Sequence, residues 1–275
     1  MKLIITLLFV AVAACSALPS TPNVHADIYM NTVLASQARI VGGKDAARRQ
    51  FPYQVSLLYG GSHVCGGILI GDRKVLTAGH CKVSSSTSLF KVVVGQLNQR
   101  ENHEDVQTHE VESFNVHPNY PPGQVAANDI AVIILKTSVT ATEAVKAIKL
   151  PADEDCAKIE DARLSGWGYK SSSVPVVPTT LQFIDMPRIT NNECADRLKS
   201  ILGTSRPLDD TMICIAANQG TTQSACNGDS GGPLALTSNG VLVGVVSWGI
   251  SPCGYPNAPS VFTNVCSHRA FIDQF

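Results

Sequence analysis

The chain of 275 residues carries 21 Lys and Arg against 22 Asp and Glu, and charged residues make up only 16% of it. So thin a charge excludes a disordered polyelectrolyte, and the absence of a basic excess excludes an electrostatic case for nucleic acid. Apolar residues reach 44%, enough to fill one large core or two small ones.

Met1-Lys2 opens the chain with a single positive charge. Leu3 to Ala14 is apolar apart from Thr6, and small residues follow at Ser16 and Ala17. This is the three-part layout of a secretory signal peptide over residues 1–17. The run falls short of the roughly 20 residues a membrane helix needs, so no membrane partner is expected. Two competing readings are a buried core segment and a lipoprotein cleavage box that would acylate Cys15. Nine cysteines are present, an odd count for an exported chain. Cleavage after Ala17 removes Cys15 and leaves Cys65, Cys81, Cys156, Cys194, Cys214, Cys226, Cys253 and Cys266. No Cys-x-x-Cys pair occurs, which argues against structural zinc and for disulfides in an oxidising, extracellular compartment.

Residues 18–39 are poor in apolar side chains and end in Ala38-Arg39, followed by Ile40-Val41-Gly42-Gly43. Short β-rich runs come next: Tyr53 to Leu58, Gly67 to Ile70, Lys91 to Val94, Asp129 to Leu135, Leu181 to Ile184 and Val241 to Ser247. Turn residues such as Gly60-Gly61 and Ser238-Asn239-Gly240 separate such runs, and the pattern predicts an all-β barrel or sandwich. Thr190-Asn-Asn-Glu193 fits a capping box and predicts a helix running towards Leu202. A second helix is predicted from about Ser267 to Phe275. A soft boundary at Thr140 to Pro151 divides the body into units of about 40–145 and about 150–265.

The chemistry is concentrated in three places. Gly228-Asp229-Ser230-Gly231-Gly232-Pro233 sets a serine in an open, glycine-rich backbone, where a hydroxyl and neighbouring N–H groups can reach a ligand. An α/β-hydrolase elbow needs an acid and then a histidine after the serine. Here His268 precedes the only later acid, Asp273, so that reading fails. The reverse order is available. Thr77-Ala78-Gly79-His80-Cys81 supplies a base, and Asn128-Asp129-Ile130-Ala131 supplies an acid entering an apolar strand.

With Ile40-Val41-Gly42-Gly43, Ala78-Gly79-His80-Cys81, Asp129-Ile130-Ala131, Ser165-Gly166-Trp167-Gly168, Gly228 to Pro233 and Ser247-Trp248-Gly249 together, residues 40–275 resemble the trypsin/chymotrypsin-type serine peptidases. The resemblance implies two six-stranded antiparallel Greek-key barrels with a C-terminal helix. It implies a His80, Asp129, Ser230 triad, with the N–H groups of Gly228 and Ser230 as oxyanion hole. It implies a zymogen: residues 18–39 as propeptide, a cut after Arg39 by a trypsin-like activating protease, and the new Ile40 ammonium paired with Asp229. A cysteine-free propeptide would then depart. The implied bridges are Cys65–Cys81, Cys156–Cys266, Cys194–Cys214 and Cys226–Cys253. A further family bridge is missing at both ends, at Ala162 and Leu236. Gly79 stands where the family more often has Ala, with no functional loss expected.

Matching positions put Ser224 at the base of the specificity pocket, where trypsins carry Asp. Ala225 adds apolar lining, Gly249 leaves one wall open and Ser260 narrows the other. The expectation is chymotrypsin-like cleavage after Phe, Tyr, Leu or Met; the runner-up is an elastase-like preference for smaller apolar residues. Ser247, Trp248 and Gly249 would pair with the substrate backbone as an added strand. No cofactor or metal is expected. Between Gly95 and His117 a loop of the length that binds calcium in relatives is anticipated, but Gln96 and Val106 replace the ligating glutamates. Glu101, Glu104 and Asp105 then read as a solvated acidic loop. The chain has no Asn-x-Ser/Thr sequon, which argues against N-glycosylation. The expected partners are protein or peptide substrates and protein protease inhibitors, around a monomer secreted in a digestive setting such as the gut lumen. A non-catalytic homologue that keeps the fold for binding is the rival from another class.

Overall fold

The computed structural model describes residues 27–29, 40, 42–121, 123–168, 179–204, 206, 208–217 and 220–275. The expected signal segment with Cys15, Arg39 and most of the expected propeptide lie outside the described residues. In chain order the strands are β1 Asp27–Tyr29, β2 Lys44–Asp45, β3 Gln54–Tyr59, β4 Ser62–Leu69, β5 Lys74–Thr77, β6 Phe90–Val94, β7 Gln107–Val116 and β8 Ala131–Leu135. They continue with β9 Ala162–Gly166, β10 Gln182–Met186, β11 Arg188–Ile189, β12 Met212–Ile215, β13 Pro233–Leu236, β14 Leu242–Ser251 and β15 Ser260–Asn264. Among the described residues three α-helices, α1 Asp153–Ala157, α2 Asn191–Leu202 and α3 Arg269–Ile272, lie in the second half.

β3, β4, β5, β8, β7 and β6 close, in that order, into an antiparallel six-stranded barrel. Gly60 and Gly61, both at positive φ, make the tight turn between β3 and β4, a conformation that suits glycine. The core holds Val55, Leu57, Ile68, Leu76, Val92, Ile133 and Leu135, all fully buried. β7 occupies much of the stretch read from sequence as a loop between Gly95 and His117. In it His109 and Val111 face inward between exposed Thr108, Glu110 and Glu112. A register shift against β8 between Val111 and Ser113 brings Phe114 back to the core side. The acidic patch is also not simply solvated. Asp105 is only 7% exposed and pairs with Arg49 at 3.0 Å and Arg48 at 3.7 Å. Glu101 pairs with Arg48 and accepts the Leu97 N–H at 2.6 Å. Only Glu104 of the three is exposed.

The second sheet runs β11-β12-β15-β14-β13-β9-β10-β2, with β1 added on β14, nine strands among the described residues. It exceeds the expected six because β1, β2 and β11, each two or three residues long, attach at its margins. Leu164, Ile213, Leu234, Val243, Val246 and Phe262 fill its core together with Ile40. Ala162 and Leu236, where the family bridge is missing, face each other across β9 and β13, and both are buried. The four expected bridges are all formed: Cys65–Cys81, Cys156–Cys266, Cys194–Cys214 and Cys226–Cys253.

α2 begins where its cap predicts, with Thr190 Oγ1 accepting the Glu193 N–H at 3.1 Å. The reciprocal half of the box gives way to an ion pair, because the Glu193 carboxylate takes Arg197 at 2.6 Å. The C-terminal helix is shorter than predicted: a 3₁₀ turn over Cys266–His268 leads into α3. Phe271 and Ile272 belong to the core of the first barrel, each burial being worth about 1.5–3 kcal/mol. The end of the second half is thereby fastened to the first.

Candidate active site

His80 sits in a 3₁₀ turn, Gly79–Cys81, directly after β5. Cys81 is bonded to Cys65 in β4, so the turn is anchored through the strand on one side and the disulfide on the other. Asp129 precedes β8. Asn128 beside it takes a φ of 64°, a left-handed conformation that Asn tolerates better than most residues. Asn128 Oδ1 lies 3.1 Å from His268 Nε2, which ties this kink to the C-terminal turn. The Asp129 carboxylate is nearly inaccessible and well supplied with donors. Its Oδ1 accepts the His80 backbone N–H at 2.9 Å, and its Oδ2 accepts from His80 Nδ1 at 2.7 Å and Ser247 Oγ at 2.6 Å. Thr263 Oγ1 donates to the Asp129 carbonyl at 2.7 Å. With Nδ1–H given to the carboxylate, the neutral ring presents Nε2 as its acceptor.

Ser230 lies in the turn between the Cys226 bridge and β13. Asp229 N–H donates to the Cys226 carbonyl, Gly231 N–H to Val246 and Gly232 N–H to Asp229. The Ser230 carbonyl accepts the Gly66 N–H of β4 at 2.8 Å, a bond between the two halves of the molecule. Gly231 has φ 79°, and a Cβ there would meet Thr77 Oγ1 at 2.1 Å, so no larger residue fits. The serine turn therefore packs on the end of β5, from which His80 follows. His80 Nε2 and Ser230 Oγ are both buried, and neither has a hydrogen-bond partner among the described residues. The His80–Asp129 bond is formed, and no hydrogen bond joins His80 to Ser230 among the described residues. The N–H groups of Gly228 and Ser230 likewise have no acceptor among the described residues.

Behind the serine, Asp229 is fully buried. Its oxygens accept the Gly168 N–H at 2.6 Å and the Cys226 N–H at 3.0 Å. Burial nonetheless pushes its carboxyl up to about 7, against the lowering effect of those two bonds. Gly166 and Gly168 form its wall, since a Cβ at either would fall within 2.2 Å of the carboxylate. Ile40 is fully buried in the neighbouring core. Sequence reasoning missed His63, which closes this region from the other side. Its Nε2 donates to the Gly228 carbonyl at 3.1 Å and its Nδ1 meets Ser56 Oγ at 2.8 Å. Burial lowers its pKa to about 4, so the ring is neutral at physiological pH. No motif surrounds His63; the one sequence signal is its place two residues before Cys65.

The expected pocket residues are buried. Ser224 Oγ accepts the Gly254 N–H and Ser260 Oγ accepts the Ala225 N–H, each at 3.0 Å. Ser247, Trp248 and Gly249 lie together in β14.

Comparison with known proteins follows the same lines. Residues 40–272 match the trypsin family. The chain is 40% identical over 234 residues to trypsin delta of Drosophila erecta, covering 85% of this chain and 87% of that one. It is 38% identical over 234 residues to trypsin alpha-4 of Lucilia cuprina, with 85% and 86% covered. Among solved structures it is similar to neuropsin, a serine protease expressed in the limbic system of mouse brain. That match has a TM-score of 0.74 and 30% identity, over 86% of this chain and 99% of that one. The chain belongs to the trypsin family of serine peptidases and is a hydrolase with the chymotrypsin-like fold. Its four disulfides fit an extracellular protein.

Proposed function

We propose that the chain is a secreted serine endopeptidase made as a zymogen, with residues 1–17 a signal peptide, 18–39 an activation propeptide and 40–275 the peptidase domain. His80 Nε2 takes the Ser230 proton as Oγ attacks the scissile carbonyl, and the imidazolium is stabilised by Asp129. The tetrahedral oxyanion rests on the N–H groups of Gly228 and Ser230. The same imidazolium then protonates the leaving amine, and water repeats the sequence on the acyl-enzyme. Cutting after Arg39 frees an ammonium on Ile40 that pairs with Asp229, a carboxyl now buried without a cation among the described residues. Losing one partner of such a buried pair costs roughly 3–5 kcal/mol, enough to bias a loop between two arrangements.

The reading is carried by one observation: the His80 ring, oriented by Asp129 at 2.7 Å, leaves Nε2 uncommitted beside the serine turn. For specificity, Ser224 offers no charge to Lys or Arg, although the curated relatives are named trypsins. We therefore favour Phe, Tyr, Leu or Met at the cleaved position. The buried Ser260 hydroxymethyl supports the second reading, an elastase-like taste for smaller apolar residues.

An organophosphonate with an apolar side chain is expected to label Ser230 of the cut protein and to leave the His80→Ala variant unlabelled. Equal labelling of both by mass spectrometry would overturn the mechanism.

A further inference from the structure

We propose that residues 27–29 occupy, in the uncut chain, the strand edge that an extended substrate needs, making the segment ahead of Ile40 an in-chain competitor as well as a cleavable leader. The inference rests on the peptidase reading above. β14 is paired with β13 from Leu242 to Val245 and with β15 from Gly244 to Trp248. Its last residues, Gly249 to Ser251, run beyond both partners and form an open edge. β1 pairs with that overhang, Asp27 opposite Ser251, Ile28 opposite Ile250 and Tyr29 opposite Gly249.

Direction matters as much as contact. The pairing is antiparallel, so from Asp27 to Tyr29 the segment advances along β14 towards Ser247, the residue that donates to Asp129. A substrate that adds a strand here and leads its C-terminal end to Ser230 must run the same way. Strand addition draws its affinity from backbone hydrogen bonds, so it does not require a substrate-like side chain at each position. What it does require is proximity. Tyr29 is joined to the buried Ile40 through the chain itself, and a short tether gives an effective concentration in the millimolar range. Cleavage after Arg39 abolishes that tether. One cut would then do two things: free the Ile40 ammonium for Asp229 and release the edge of β14.

The test uses the full chain with Arg39→Gln to keep it uncut. Alternate residues of an antiparallel strand donate to their neighbour, so changing both Ile28 and Tyr29 to proline removes at least one β1 donor to β14 whichever set faces it. Amide exchange at Gly249–Ser251 is expected to quicken by at least about tenfold in this variant, with core strands unchanged. Unchanged exchange at these amides overturns the proposal. As a second measurement, a synthetic peptide of residues 18–39 is added to the cut enzyme. It is expected to raise KM for a tetrapeptide substrate with kcat unaltered, and the double-proline peptide is expected to have no such effect. Equal inhibition by both peptides also overturns the proposal. If the cut protein hydrolyses nothing, the peptidase reading fails, while the exchange experiment still decides whether β1 holds the edge.

Discussion

Ser260 illustrates how much one hydroxymethyl group can decide. It lies in β15, buried, with its oxygen tied to the Ala225 N–H at 3.0 Å. That bond holds the group in place, so its bulk, not its polarity, would limit what enters the proposed pocket. Ser260→Gly is expected to raise kcat/KM for Phe relative to Val by about 1–3 kcal/mol, roughly five- to 150-fold. A ratio unchanged in competition assays would place the size filter elsewhere. The residues proposed to do chemistry stand out in the sequence because His80, Asp129 and Ser230 each sit in a recognisable local pattern. His63, Ser56 and Thr263 do not. They act through hydrogen bonds to one another or to backbone carbonyls, and such contacts leave no trace in residue spacing.

At the scale of elements, the turn bearing His80 depends on the strand beside it. A Cβ on Gly79 would meet Tyr120 Cδ1 at 2.9 Å, Val116 Cγ1 at 3.1 Å and Asp129 Oδ1 at 3.3 Å. Tyr120 is itself buried, with its hydroxyl bonded to the Gln124 carbonyl at 3.0 Å. The ring crowds the space a methyl group would take, so Ala fits this position only if Tyr120 gives way. Gly79→Ala is expected to destabilise the protein by about 1–3 kcal/mol in urea denaturation, and the cost should shrink when Tyr120 is shortened to Val. Equal costs in both backgrounds would dissociate the two residues. The same dependence on neighbours explains which elements the sequence revealed. The Thr190 cap is a local signal and predicted the start of α2. β7 is half polar and bulged, and its identity comes from the partners it finds in β6 and β8. The loop before it is braced by Arg48 and Arg49, which precede β3 and lie more than 50 residues upstream of Glu101 and Asp105. No local window contains both sides of that contact.

For the whole molecule, two buried groups set opposing pH dependences. In the uncut chain Asp229 holds its proton up to about 7, above the roughly 3.9 of an unfolded Asp, so stability falls as pH rises through that interval. His63 has the reverse effect. Its folded pKa of about 4 lies below the roughly 6.5 of an unfolded His, so stability falls as pH drops from about 6.5 towards 4. The two largely offset each other before cleavage. After cleavage the Ile40 ammonium would keep Asp229 ionised and remove its share. The cut protein is then expected to gain up to about 3 kcal/mol between pH 4 and 6.5, relative to the uncut one. Urea denaturation of Ser230→Ala protein, cut and uncut, tests this without self-digestion, and parallel pH profiles would refute it. The bond from Gly66 to the Ser230 carbonyl extends the point to the molecule's working life. Because the backbone of the proposed nucleophile is held by the opposite half, a nick that lets the halves drift apart is expected to abolish activity before either half melts, so that a damaged copy would stop digesting its neighbours.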